Sequence, residues 1–239
     1  MCTVTFLPLP ESNGFILTSN RDEQAVREKA APPKKYNLEN SKVVFPKDLK
    51  AGGTWIAAAE PGITLCLLNG GLKPHIPDTP YRKSRGLVVL DFFKFLSVDR
   101  FVNEYDLENI EPFTLIFVDS REWLAVNELI WDGSTAKLNA VNSSEARVWS
   151  SVTLYEKSVI EERKRWFQKW LVKHPVPAQD SIIDFHTTGG SGDKRNDLLM
   201  NRDNRLHTVS ITSVIRSEAE FTMKYHDLYD SSKYQISID

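Results

Sequence analysis

The chain has 239 residues, 41% of them hydrophobic and 26% charged, which is enough for one large unit with a sizeable core. Its formal net charge of −2 gives no electrostatic basis for binding nucleic acid or an anionic membrane. No apolar run approaches the roughly 20 residues that a membrane helix needs, and the N-terminus lacks the basic and apolar regions of a secretory signal, so the expected compartment is the cytoplasm.

In chain order, "CTVTFLP" and "NGFILTSN" are β-rich runs separated by the turn-forming "LPESNG". They read as a hairpin that brings Cys2 and Arg21 to the same end. Residues 30–55, interrupted by Pro, Lys and Gly, read as loop with one short strand. "TWIAAAE" and "ITLCLLNG" flank a Pro-Gly turn as a second hairpin, which ends at Asn69-Gly70-Gly71 and leads into a proline-broken loop over 73–82.

The spacing of Leu87, Leu90, Phe93, Phe95 and Leu96 predicts an amphipathic helix over 84–105. "FTLIFVDS", "EWLAVNELIWDG" and "AKLNAVN" then read as a β-meander. A second helix over 153–174 puts Leu154, Val159, Trp166, Phe167, Trp170 and Leu171 on one apolar face. The polar, Gly-rich stretch that includes 187–197 reads as a loop bordering a pocket, and "LHTVSITSVIRS" with "AEFTMKYHDL" as a closing strand pair. Hairpins without regular βαβ alternation predict an α+β fold, antiparallel sheet covered by helices, with residues 1–239 forming a single domain.

Cysteine is the residue that carries chemistry here. Cys2 and Cys66 make no disulfide framework in a chain this long, and Cys66, inside "ITLCLL", is expected in the core. A small second residue permits removal of Met1, which would leave Cys2 with a thiol of reference pKa about 8.5 and an α-amine of about 7.7–8.0. Nucleophile and general base would then belong to one residue. An arginine nearby favours the thiolate and a carboxylate holds the ammonium; "SNRDE" supplies Arg21, Asp22 and Glu23.

An oxyanion needs a donor aimed at it, and Asn69 beside Gly70 and Gly71 has the right form. Each motif also has a plain structural reading: Cys2 as a small buried strand residue, Arg21 to Glu23 as an exposed turn, and Asn69-Gly70-Gly71 as a turn signal. The five histidines, His75, His174, His186, His207 and His226, lack the short spacing of a zinc site, so neither a metal nor a cofactor is expected.

Taken together, "MCTVTF", "SNRDE", "GGTWIA" and "LLNGG" resemble, in order, the motifs of the NRDE family, also called the transport-and-Golgi-organisation family. That resemblance covers the first third of the chain. It implies the four-layer αββα sandwich of N-terminal-nucleophile (Ntn) hydrolases. The arrangement is similar to choloylglycine hydrolases and penicillin V acylases, which implies Cys2 as nucleophile, Arg21 and Asp22 as its charged partners and Asn69 as oxyanion donor. The implied substrate is a small non-peptide amide.

Asn20, Glu23, Gly70 and Ser151 are further candidates. The register differs from the acylases, where two residues separate the arginine from the aspartate, so Glu23 is an alternative holder of the amine. Ser151 stands where a second asparagine is usual, and Val209 where NRDE proteins often have an arginine, with His207 and Arg205 nearby. These departures support a rival reading: an inactive family member that holds a lipid, acyl or haem-like ligand in the same pocket.

Overall fold

A strand sends successive side chains to opposite faces, and a sheet that is apolar on both faces must be covered on both. The first two strands, β1 (Thr3–Pro8) and β2 (Phe15–Gln24), have this character. Val4, Phe6, Phe15 and Leu17 turn one way and Leu7 and Ile16 the other, all of them buried. The computed structural model, which describes residues 3–9, 13–39, 41–77 and 79–239, shows what covers each face. Met1 and Cys2 lie outside the described residues.

Four strands and a turn of chain follow: β3 (Ala31–Leu38), β4 (Ser41–Lys47), β5 (Ile56–Ala59) and β6 (Ile63–Asn69). Helix α1 (Arg85–Asp91), a 3-10 turn (Phe92–Lys94) and α2 (Val98–Glu104) precede β7 (Phe113–Asp119), β8 (Ala125–Trp131), β9 (Ala136–Val141) and β10 (Arg147–Ser150). The remainder comprises α3 (Lys157–Lys173), α4 (Gln179–Thr188), β11 (Asn201–Arg202), β12 (Leu206–Arg216), β13 (Phe221–Asp227) and β14 (Lys233–Ser237).

The strands form two antiparallel sheets. The first has the order β10-β1-β2-β12-β13-β14 with β11 on β12, and the second runs β3 to β9 in sequence order. Their facing sides share one apolar cluster, in which Val4, Phe6, Leu17 and Val214 meet Val44, Ile56, Cys66 and Ile116. Helix α1, the 3-10 turn and α2 cover the outer side of the second sheet through Val88, Phe92 and Phe101, and α3 and α4 cover the first through Phe167, Trp170, Ile182 and Phe185. Each of these side chains contributes roughly 1.5–3 kcal/mol by leaving water. The result is the expected αββα sandwich. Cys66 is a core residue as read from sequence, and burial pushes its thiol up to about 12.

Several local expectations change. Residues 30–55 contain two strands, not one. The prolines of "APPKK" are tolerated because β3 is an edge strand with a register shift between Ala31 and Lys34. The helix expected over 84–105 is broken into three pieces: Leu96 has a φ of +55°, and Ser97 caps a new start by accepting from the Arg100 N–H. The second helix begins at Lys157, later than its apolar pattern suggests. Helix α4 lies within the stretch read as polar loop, where Ile182, Phe185 and His186 make one short buried stripe.

Candidate functional site

Strand alternation divides the "NRDE" motif between two faces of the first sheet. Asn20 and Asp22 face the layer of α3 and α4, whereas Arg21 and Glu23 face the second sheet. Asn20 is wholly buried: its Nδ2 donates to the carbonyls of Leu198 (2.7 Å) and His186 (3.2 Å), and its Oδ1 lies 2.6 Å from His186 Nδ1. It fastens α4 and the 198 segment to β2, a structural duty rather than a chemical one.

Asp22, equally buried, takes a hydrogen bond from the Tyr155 hydroxyl at 2.7 Å and one from Thr208 Oγ1 at 2.6 Å.

On the other face, Arg21 Nη2 donates to Asp48 Oδ2 at 2.7 Å and to Glu23 Oε2 at 3.4 Å, and its guanidinium lies 4.6 Å from the centre of the Trp55 ring. Arg27 grips the same Asp48 with both carboxylate oxygens engaged. Burial opposes the charge on Asp48, but the Ala51 N–H and the guanidiniums of Arg27 and Arg21 outweigh it and hold the pKa below the ordinary carboxylate value. Arg21 is therefore a fixed cation in contact with a fixed counter-ion.

β1 begins between these faces. Its first described residue, Thr3, is paired with Asn20 on one side and Ser150 on the other. Ser151 follows, buried, and its hydroxyl donates to the Asn69 carbonyl at 2.8 Å, which brings the end of β10 against the end of β6. Gly70 has a φ of +88°, and a Cβ there would come within 2.8 Å of the Val152 and Thr153 side chains, so this approach requires glycine. The Gly70 N–H is engaged by the Pro112 carbonyl at 3.0 Å and is not an oxyanion donor in this arrangement. The Asn69 side-chain amide, by contrast, makes no hydrogen bond to another side chain or backbone group among the described residues.

Two clefts meet at Asn69. One, of about 450 Å³, is polar and lined by Arg21, Glu23, Arg27, Asp48, Trp55, Lys83, Arg85 and Glu111. The other, of about 430 Å³, runs beneath α3 and is walled mainly by apolar side chains such as Leu68, Ile130, Val148, Ile160, Phe167 and Leu171, with Ser151, Glu128, Arg147 and Lys164 also in its lining. An amide lying across Asn69 would extend an apolar part into one and a polar part into the other.

The structure thus gathers Arg21, Asp22, Glu23, Asn69, Gly70 and Ser151 around the start of β1 and assigns Asn20 to the scaffold. Val209 is buried at the irregularity where β12 shifts register against β2, between Thr208 and Ser210. Sequence reading missed Asp48, although an aspartate before "LKAGG" is a turn signal, and its side chain does accept from the Ala51 N–H. It also missed Arg163. That residue sits among the charges of "EERKR" yet falls in the same helical row as Phe167 and Trp170, four and seven positions on. Among the described residues no group of three or more His, Cys, Asp or Glu side chains is placed to hold a metal ion, and no helix is long and apolar enough to cross a membrane.

Comparison with known proteins extends this picture. The family model described as "Transport and Golgi organisation 2" matches residues 1–226. Comparison with curated proteins returns no match. Among solved structures, penicillin V acylase from Agrobacterium tumefaciens superposes with a TM-score of 0.60 at 12% identity, covering 99% of this chain and 86% of its own. A mutant conjugated bile acid hydrolase from Clostridium perfringens gives 0.59 at 11% identity, covering 100% of this chain and 92% of its own. An N-acylethanolamine-hydrolyzing acid amidase orthologue from Caenorhabditis elegans gives 0.53 at 13%, covering 89% and 92%. At these identities the likeness establishes the Ntn-hydrolase fold.

Proposed function

The chain belongs to the transport and Golgi organisation 2 family, and from that premise we propose that it is an N-terminal-cysteine amidohydrolase acting on a small non-peptide amide with an apolar acyl part. The observation that carries this reading is the Asn69 amide, which no described residue engages, at the junction of an apolar and a polar cleft. Cys2 precedes Thr3, the described residue that pairs with Asn20 on one side and Ser150 on the other, which supports a nucleophile at this end of the sheet.

In this mechanism, loss of Met1 frees the Cys2 α-amine, which takes the thiol proton. The thiolate attacks the amide carbon, and the Asn69 amide donates to the resulting oxyanion. The ammonium then protonates the leaving nitrogen, the C–N bond breaks and a thioester remains. Water, deprotonated by the same amine, adds to the thioester and releases the carboxylic acid and the thiol. Arg21 favours the thiolate, and Asp22 holds the ammonium. Asp22 suits that role better than Glu23, which is part-exposed on the opposite face and already lies against Arg21. The polar cleft would accept the amine portion. The compartment we assign is the cytoplasm.

The test uses protein that begins at Cys2. Incubation with a panel of N-acyl amides, followed by intact mass, is expected to show a thioester adduct or turnover, and Cys2→Ser is expected to reduce turnover by more than about a hundredfold. Neither adduct nor turnover across the panel would sink the proposal.

A second reading, a binding protein that holds a ligand in the apolar cleft without turning it over, draws on Ser151 and Val209. The Ser151 hydroxyl is spent on the Asn69 carbonyl, and Val209 brings no charge to the site. Ligand retention that is unaffected by Cys2→Ala, with no turnover, would favour it.

A further inference from the structure

Arg163 is 1% exposed, and no carboxylate contacts it among the described residues. Its Nη1 donates to Thr3 Oγ1, its Nη2 to the carbonyls of Asn196 (2.9 Å) and Asp197 (2.7 Å), and its Nε to Asn196 as well (3.1 Å). These engage all three of its nitrogens but do not neutralise its charge, and a buried cation left uncompensated is expensive. The compensation comes through an aromatic ring. The guanidinium lies 3.6 Å from the centre of the Tyr155 ring, and Arg202 lies 5.2 Å from the same ring. The hydroxyl of that ring donates to Asp22.

Two cations against one phenol withdraw electron density from it and make its O–H a stronger donor. Thr208 supplies the second hydroxyl, one to each oxygen of Asp22. The carboxylate is thereby held in one orientation, by groups from the segment before α3 and from β12. Arg163 at the same time grips Thr3, the residue after Cys2.

We infer that Tyr155, clamped by Arg163 and Arg202, is a positioning residue: it aims the Asp22 carboxylate at the start of β1 so that the carboxylate retains the Cys2 ammonium. This rests on the hydrolase reading only for the use to which the ammonium is put. Among the described residues, Arg21 and Glu23 flank Asp22 on β2, and His186 lies on α4 in the layer that Asp22 faces. Arg21 is already committed to Asp48, Glu23 points to the other face, and His186 is buried and neutral.

The experiment uses full-length protein released from a fusion so that it begins at Cys2. The rate of α-amine acylation by an acid anhydride is followed by intact mass as a function of pH in the wild type, Tyr155→Phe and Thr208→Val. Tyr155→Phe keeps the ring and both guanidinium contacts and deletes only the donor. The expected result is a downward shift of the labelling midpoint equivalent to about tenfold weaker retention of the proton, with a smaller shift in the same direction for Thr208→Val, which carries the test should Tyr155→Phe fail to fold. A midpoint unchanged in a folded variant overturns the inference. A shifted midpoint in a protein that hydrolyses no amide leaves the positioning role standing and removes the hydrolase reading. Turnover with an unshifted midpoint does the reverse.

Discussion

His186 shows how one buried side chain makes stability depend on pH. Its Nε2 lies 2.8 Å from Thr5 Oγ1 and its Nδ1 2.6 Å from Asn20 Oδ1. Since the Asn20 amide nitrogen is already donating to two carbonyls, Nδ1 carries the proton and Nε2 accepts from Thr5. Burial, reinforced by the charge of Arg163, pushes the pKa down to about 3. An unfolded chain would protonate this ring near 6.5, so its contribution is fully present above that pH and is lost as pH falls toward 3, at about 1.4 kcal/mol per pH unit. We predict that chemical-denaturation stability declines across this window, and that His186→Gln, less stable at pH 7, shows a flatter decline. Asp48 adds a loss at lower pH, because its depressed pKa stabilises the fold until the carboxylate is protonated. Asp48→Asn should cost about 3 kcal/mol by stranding Arg21 and Arg27, measured as a shift in urea midpoint. At this scale the motif residues were legible as a cluster. Their division between two faces was not, because adjacent letters in a strand point in opposite directions and only the sheet says what lies on each side.

At the scale of elements, the "GG" of "AGGTW" separates two effects of glycine. A Cβ on Gly53 would lie 2.3 Å from the Gly86 carbonyl carbon, where the 48–55 loop meets the start of α1, and the Thr54 N–H donates to the Gly86 carbonyl at the same contact. A Cβ on Gly52 would meet nothing within 4 Å, but its φ is +74°. We predict that Gly53→Ala costs about 1–3 kcal/mol and, by displacing Lys83 and Arg85 from the polar cleft, alters activity or binding. Gly52→Ala should cost about 1 kcal/mol and leave the cleft intact. Equilibrium unfolding of both variants checks the ranking. Long apolar patterns such as "FTLIFVDS" declared their strands from sequence. The breaks did not, because Leu96 and Ser97 look like the continuation of an amphipathic helix until a left-handed φ and a cap are seen together.

Over the whole molecule, the apolar cluster between the sheets draws residues from both, from Val4 to Ile238, which leads us to propose that residues 1–239 unfold as one domain. Calorimetry should give a single transition whose calorimetric and van't Hoff enthalpies agree. The layered fold could be anticipated because hairpins and two helical stretches exclude regular βαβ winding. The pairing of β1 with β10, across more than a hundred residues, has no local signature at all.

That pairing has a consequence in time. Every neighbour in the second sheet is also a neighbour in sequence, so residues 31–141 can pair as they emerge, closing only short loops. β1 and β2 leave the ribosome before β10 and β12 but must wait for them, and until then their apolar faces have no cover. Pulse-labelled hydrogen exchange during refolding should therefore register protection over 31–141 before it appears at residues 3–24. The residues gathered around Thr3 would be the last to meet, because β1 and β2 find their outer neighbours only after nearly all of the following strands have been made.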